Sequence, residues 1–141
     1  MFLAEIAMAA LLLTRIFSRA DSWLNKKILA QMNWIPLTSE AQLETISEAS
    51  KNKPQVIFKH STTCSISGMA LSRMNRSEFP ETIDFYLLDL KQYRSISNQI
   101  AEQFQVHHES PQVLLIKQGE CVYDESHYGI NMDELVEQSA Q

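Results

Sequence analysis

The chain has 141 residues, 45% of them hydrophobic and 21% charged, enough for one globular domain with a sizeable core. A net charge of −5 argues against nucleic acid as a partner. Its two cysteines, Cys64 and Cys121, are too few for a disulfide scaffold and suit a reducing compartment, and no Cys/His spacing matches a zinc site.

Charge is unevenly spread. Arg15, Arg19, Lys26 and Lys27 against Glu5 and Asp21 leave residues 1–31 at +2 and the remaining 110 at −7. This shift predicts a boundary near Met32, between a helical extension, 1–31, and a domain, 32–141. The extension has no Gly or Pro and reads as one helix. Its longest uncharged run, Ile6 to Thr14, is too short to span a bilayer. The basic n-region of a signal peptide is missing, although Ser18-Arg-Ala20 is a weak cleavage-like site. Beyond Arg15, the residues Ile16, Ala20, Trp23, Leu24 and Ile28 form an amphipathic stripe. Three roles stay open: contact with a membrane surface, docking on the domain or on another subunit, or an upstream start with the domain opening at Met32.

Met32 to Leu37 reads as an extended lead-in, because Pro36 disfavours helix in the residue before it. Ser39 and Gln42 form a capping box ahead of the stripe Leu43, Ile46, Ala49. A strand is predicted from Gln55 to His60. A polar loop follows, and a helix from Cys64 carries Ile66, Met69, Ala70 and Met74 on one side and ends before Phe79-Pro80. On this pattern Met69 and Met74 are helix core. Ile83–Leu90 is a second buried strand, and Ile96, Ile100 and Phe104 mark a helix from about Gln92 to Gln103. Pro111 precedes an apolar strand to Lys117. The Gln118-Gly119 turn and a return strand, Glu120 to Glu125, complete a hairpin. Asn131 with Glu134 caps a last helix holding Leu135 and Val136.

Chemistry concentrates at Phe58-Lys-His-Ser-Thr-Thr-Cys64-Ser-Ile-Ser67. A cysteine where a buried strand turns into a helix meets free N–H groups and the positive end of the dipole, which favour a thiolate. The thiolate is the nucleophile of disulfide exchange, so Cys64 reads as a redox thiol. The bland alternative is a small core hydrophobe, against which the polar flanking residues count.

The element order, with a cysteine at the first strand-to-helix turn and Ser110-Pro111 before a hairpin strand, resembles the thioredoxin fold: an α/β domain with a central mixed sheet flanked by helices. Phe58–Ser67, Arg94-Ser-Ile-Ser-Asn98, His108-Glu-Ser-Pro-Gln112 and Ser126-His127 together resemble the monothiol bacilliredoxin family, over about residues 32–139. That resemblance implies a cytoplasmic thiol-disulfide oxidoreductase that removes bacillithiol from protein mixed disulfides. It also implies no resident cofactor, with bacillithiol as the co-substrate. Its partners would be bacillithiol-modified proteins and a low-molecular-weight thiol, with peripheral membrane contact through residues 1–31 left open. The family often has Pro after the cysteine; here it is Ser65, which bears on the helix start and leaves the nucleophile in place. Two alternatives remain: a monothiol glutaredoxin-like protein that uses glutathione or carries an iron–sulfur cluster, and a non-catalytic thioredoxin-like binding module.

Under this resemblance Cys64 is catalytic, and Ser67 occupies the place of a resolving cysteine. Ser67 then either hydrogen-bonds the thiolate or is a plain first-turn residue. Lys59 and His60 end the strand, and either could supply positive charge near the thiolate, but only one side of a strand faces the site; the alternative is a pair of solvated strand-end residues. Thr62 and Thr63 could donate to the thiolate or to a bound thiol, or cap the loop. Arg94 could pair with a carboxylate of the small thiol or form a surface ion pair. The resemblance implies a cis Pro111, with Ser110 offering backbone groups to an extended substrate. Cys121 follows the far turn of the hairpin, on the order of 20 Å away along the strand, and is read as structural. His107-His108-Glu109 has poor ligand geometry, since adjacent strand residues face opposite ways, so no metal is expected. No mechanism is assigned to His127 or Tyr128.

Overall fold

Five strands pair in one sheet: β1 (Ile35–Pro36), β2 (Gln55–His60), β3 (Asp84–Asp89), β4 (Gln112–Lys117) and β5 (Glu120–Ser126), in the spatial order β1-β3-β2-β4-β5. This is a computed structural model, and it describes residues 22–25, 28 and 33–141. Four helices of the domain accompany the strands: α1 (Ala41–Ala49), α2 (Ser65–Asn75), α3 (Arg94–Gln103) and α4 (Met132–Ala140). Trp34–Gln141 form one compact unit. Of the extension, Ser22–Asn25 and Ile28 are helical, with Trp23, Leu24 and Ile28 exposed. The other expectations for residues 1–31 lie outside the described residues.

β2 runs parallel to β3 and antiparallel to β4, and β5 returns antiparallel beside β4. β2 and β4 are covered on both faces. They therefore read as unbroken apolar runs, Val56-Ile-Phe58 and Val113-Leu-Leu-Ile116, with no polar alternation. Alternate residues of these strands feed two cores. Val56, Phe58, Val113 and Leu115 pack with Ala70 and Met74 of α2 and with Met132 and Leu135 of α4. Ile57, Leu114 and Ile116 pack with Leu43 and Ile46 of α1 and with Ile96 and Ile100 of α3. Trp34 stands edge-on to Phe58, Phe79 and Phe85, and its indole N–H donates to Asn75 Oδ1 at 2.7 Å. Each fully buried Leu, Ile or Phe contributes about 1.5–3 kcal/mol of transfer free energy.

Element ends follow local chemistry. Gln42 Oε1 accepts from the backbone N–H of Ser39 at 3.0 Å and from that of Thr38 at 2.8 Å, the glutamine half of the expected capping box. Asn131 accepts from the N–H of Glu134 at 2.8 Å, so the last helix is capped as expected. Gly119 sits at φ +79° in the β4–β5 turn, a conformation that suits glycine. That turn is fastened to the end of α1: Gln118 N–H donates to Ser50 C=O at 3.0 Å, and Gly119 N–H to Ser50 Oγ at 2.8 Å. Met69 departs from expectation. It is 58% exposed while Met74 is fully buried, because the core-facing line of α2 runs through Ser67, Ala70 and Met74.

Candidate active site

The sheet brings its chemistry to one end. His60, the last residue of β2, pairs with Asp89, the last of β3, and Lys59 pairs with Gln112, the first of β4. Gln112 in turn pairs with Ser126, the last of β5. The loop to Cys64, the start of α3, Ser110-Pro111 and His127 therefore all leave the sheet at this edge.

Cys64 is half-buried with a free thiol. Its backbone is extended (φ −101°, ψ 120°), and its C=O accepts from Gly68 N–H at 3.0 Å, so it is the N-cap residue of α2. The first N–H groups of the helix have no partners within it, and the Cys64 side chain makes no capping hydrogen bond to them. Cys64 N–H donates to Ser61 C=O at 3.2 Å, closing the loop into a turn.

Ser67 is fully buried. Its hydroxyl oxygen accepts from Ser61 N–H at 2.9 Å and lies 2.7 Å from Nδ1 of His60. A neutral imidazole with its hydrogen on Nε2 accepts the hydroxyl hydrogen here, and one with its hydrogen on Nδ1 donates to the oxygen. Burial holds His60 below its ordinary pKa, against the opposing pull of Asp89. Ser67 braces the loop in this way, and its hydrogen bonds go to Ser61 and His60 instead of Cys64.

Of the two strand-end bases, His60 is on the α2 side. Lys59 points to the opposite face, where it is fully buried against Gln112 and His108, away from the helix that Cys64 caps. Thr62 and Thr63 are exposed. Thr63 Oγ1 accepts from Lys91 Nζ at 2.9 Å, which places an ammonium one residue from Cys64. Sequence reasoning missed Lys91. The available signal was its position just beyond β3, at the edge where β2 delivers the cysteine. Arg94 is exposed at the first turn of α3 and makes no ion pair among the described residues; its charge helps to hold His108 below the ordinary histidine pKa.

The Ser110–Pro111 peptide bond is cis. Ser110 Oγ is buried and unpartnered among the described residues, and no turn or loop backbone bond engages Ser110. Pro111 C=O accepts from His127 N–H at 3.1 Å, and His127 Nε2 lies 3.7 Å from Glu109 Oε2. Arg73 of α2 donates to Ile130 C=O at 2.9 Å and reaches the carbonyls of His127 and Tyr128 at 3.4 Å. The helix carrying Cys64 is thereby fastened to the turn that follows β5.

Cys121 is remote. It pairs with Ile116, four residues along β4 from Gln112 and so about 13 Å from the site end. Its Sγ–H donates to Tyr123 C=O at 3.3 Å, and burial, helped by Asp124, pushes its pKa up to about 11. No group of side chains among the described residues is arranged to hold a metal ion.

A free cysteine at the start of a helix and a cis proline at the same end of a β1-β3-β2-β4-β5 sheet define a thioredoxin-fold thiol redox protein. A family model described as monothiol bacilliredoxin BrxC matches residues 35–135, and the chain belongs to that family. Solved structures agree. A protein assigned as an oxidoreductase with a thioredoxin fold is 36% identical, with a TM-score of 0.68 over 77% of this chain and 96% of that one. The thioredoxin NaTrxh from Nicotiana alata is 26% identical, with a TM-score of 0.58 over 75% of this chain and 89% of its own. The Malassezia sympodialis thioredoxin Mala s 13, 16% identical, shares the fold with a TM-score of 0.59 over 74% of this chain and 89% of its own.

Proposed function

We propose that this protein removes bacillithiol from protein mixed disulfides in the cytoplasm by a monothiol cycle on Cys64. The observation that carries the proposal is the pairing of a half-buried Cys64 at a helix start with a serine, Ser67, three residues on, while Cys121 is distant and held protonated. The Cys64 thiolate attacks the bacillithiol sulfur of the mixed disulfide. A Cys64–bacillithiol bond forms, the original S–S bond breaks, and the substrate protein leaves as a thiolate that takes up a proton. A second bacillithiol, as thiolate, is the two-electron reductant. It attacks the bacillithiol sulfur on Cys64, releases bacillithiol disulfide and restores the free cysteine.

Ser110 is proposed to pair through its backbone with the extended polypeptide around the modified cysteine. Thr63 and Lys91 are proposed to offer hydrogen-bonding and cationic groups to the polar part of the small thiol, since Thr63 adjoins Cys64 and accepts from Lys91 Nζ. No helix among the described residues is long and apolar enough to cross a membrane.

The test is intact mass spectrometry of the reduced protein mixed with a bacillithiol-modified target. The expected result is a mass gain of one bacillithiol on the wild-type chain, none on Cys64→Ser, and release of unmodified target. Transfer from a glutathione-modified target alone would make glutathione the small thiol. Inertness toward both targets would leave a binding module.

A further inference from the structure

Lys59 is fully buried in a central strand, and the chemistry at Cys64 makes no use of it. An ammonium only donates, so its 2.6 Å contact makes Nδ1 of His108 the acceptor and leaves the ring hydrogen on Nε2. Lys59 also donates to Gln112 Oε1 at 3.1 Å. Gln112 extends the network. Its Oε1 accepts from Glu109 N–H at 3.2 Å, and its Nε2 donates to His107 C=O at 2.9 Å and to Asp124 Oδ2 at 3.3 Å. Ser97 Oγ of α3 lies 3.4 Å from the same His108 nitrogen. Three consecutive loop residues, His107, His108 and Glu109, are thus tied to one buried point between β2 and β4, and Ser110 comes next.

Burying an ammonium is costly even when it is hydrogen-bonded, and an apolar side chain of similar length often serves stability as well or better. Desolvation accordingly lowers the Lys59 pKa to about 8, with Glu109 pulling the other way. Stability alone therefore gives a poor account of a lysine here, whereas fixing a loop gives a good one.

We propose that Lys59 is a positioning residue: through His108 and Gln112 it holds residues 107–110 where Ser110 meets the polypeptide of an incoming mixed disulfide. The inference rests on the transfer function proposed above and predicts a split between half-reactions. Attack on a protein mixed disulfide needs the loop in place. Regeneration by a small thiol brings no polypeptide and does not.

The test compares the full wild-type chain with Lys59→Met, using a bacillithiol-modified protein for the first step and free bacillithiol for the second. Transfer from the protein should slow by at least about tenfold, since misplacement by about 1 Å costs up to about a hundredfold, with regeneration unchanged. Amide exchange at Glu109 should accelerate in the variant while Val56 to Phe58 keep their protection. His108→Leu, which leaves Lys59 paired with Gln112, should give the same split if Lys59→Met does not fold. Equal losses in both half-reactions, or unchanged exchange at Glu109, would overturn the proposal. Should the wild-type chain transfer no bacillithiol, the function fails, and exchange at Glu109 alone decides whether Lys59 holds the loop.

Discussion

Two cysteines of one chain are set to opposite tasks by their surroundings. Cys64 caps a helix at the edge where loops converge, while Cys121 is half-buried on β5 with its hydrogen committed to a carbonyl and its pKa near 11. At pH 8 a thiol of that pKa is ionised to about one part in a thousand, and the thiolate is the reactive form. Iodoacetamide at pH 8 should therefore add one label quickly at Cys64 and a second only slowly, as followed by intact mass. Cys121→Ala should leave bacillithiol transfer unaltered, and a large loss on that substitution would contradict a structural role. The cysteine and its serine could be read from the sequence as a motif. The face taken by Lys59 could not: β2 is apolar on both sides, so alternation does not say which side holds the cysteine helix. Its partners His108 and Gln112 lie 49 and 53 residues away. Lys91 was hidden for the same reason, since its contact with Thr63 spans 28 residues.

Elements were far more legible than side-chain partners, because each strand and helix announces itself within a few residues. Val113 to Ile116 is an uninterrupted apolar run between a proline and a Gln-Gly turn, and it forms β4. Ile96, Ile100 and Phe104 recur every four residues and are the buried line of α3 and the residue that closes it. Met69 misled because it follows Ile66 at helical spacing, yet the stripe had room for only one of two neighbouring lines. Asn131 was readable as a cap from Glu134 three positions on, and it makes that bond. Asn131→Ala should cost about 1 kcal/mol of stability, in the usual range for a lost N-cap. Chemical denaturation would measure it, and an unchanged midpoint would mean that α4 is held without the cap, by the burial of Met132 and Leu135 and the bond from Lys117 to Ser139 C=O.

At the scale of the whole molecule, three groups link folding to acid in the same direction. His60 and His108 are held below their ordinary pKa, chiefly by burial, so the folded state takes up their protons less readily than the unfolded chain. Their contribution is complete above about pH 6.5 and is lost as pH falls through the lowered values. Asp84 follows at more acid pH. Burial disfavours its charge, but hydrogen bonds from Lys53 and Gln55 and the charge of Lys53 outweigh that, leaving its pKa below the ordinary aspartate value. Its contribution is present above the unfolded aspartate pKa and disappears as pH falls through the folded one. Unfolding midpoints measured from pH 8 down to pH 3 should fall in two stages, and a flat profile between pH 7 and 5 would exclude the histidines.

The outer strands carry a further consequence. β1 is two residues long and one of them is Pro36, which has no N–H to offer a neighbour. β5, at the other border, bears Glu120, Asp124 and Glu125 and no base. A second copy laid along β5 would set carboxylate against carboxylate. The sheet is thus guarded against growing by strand addition into fibrils, despite central strands rich in the branched and aromatic residues from which such aggregates are built.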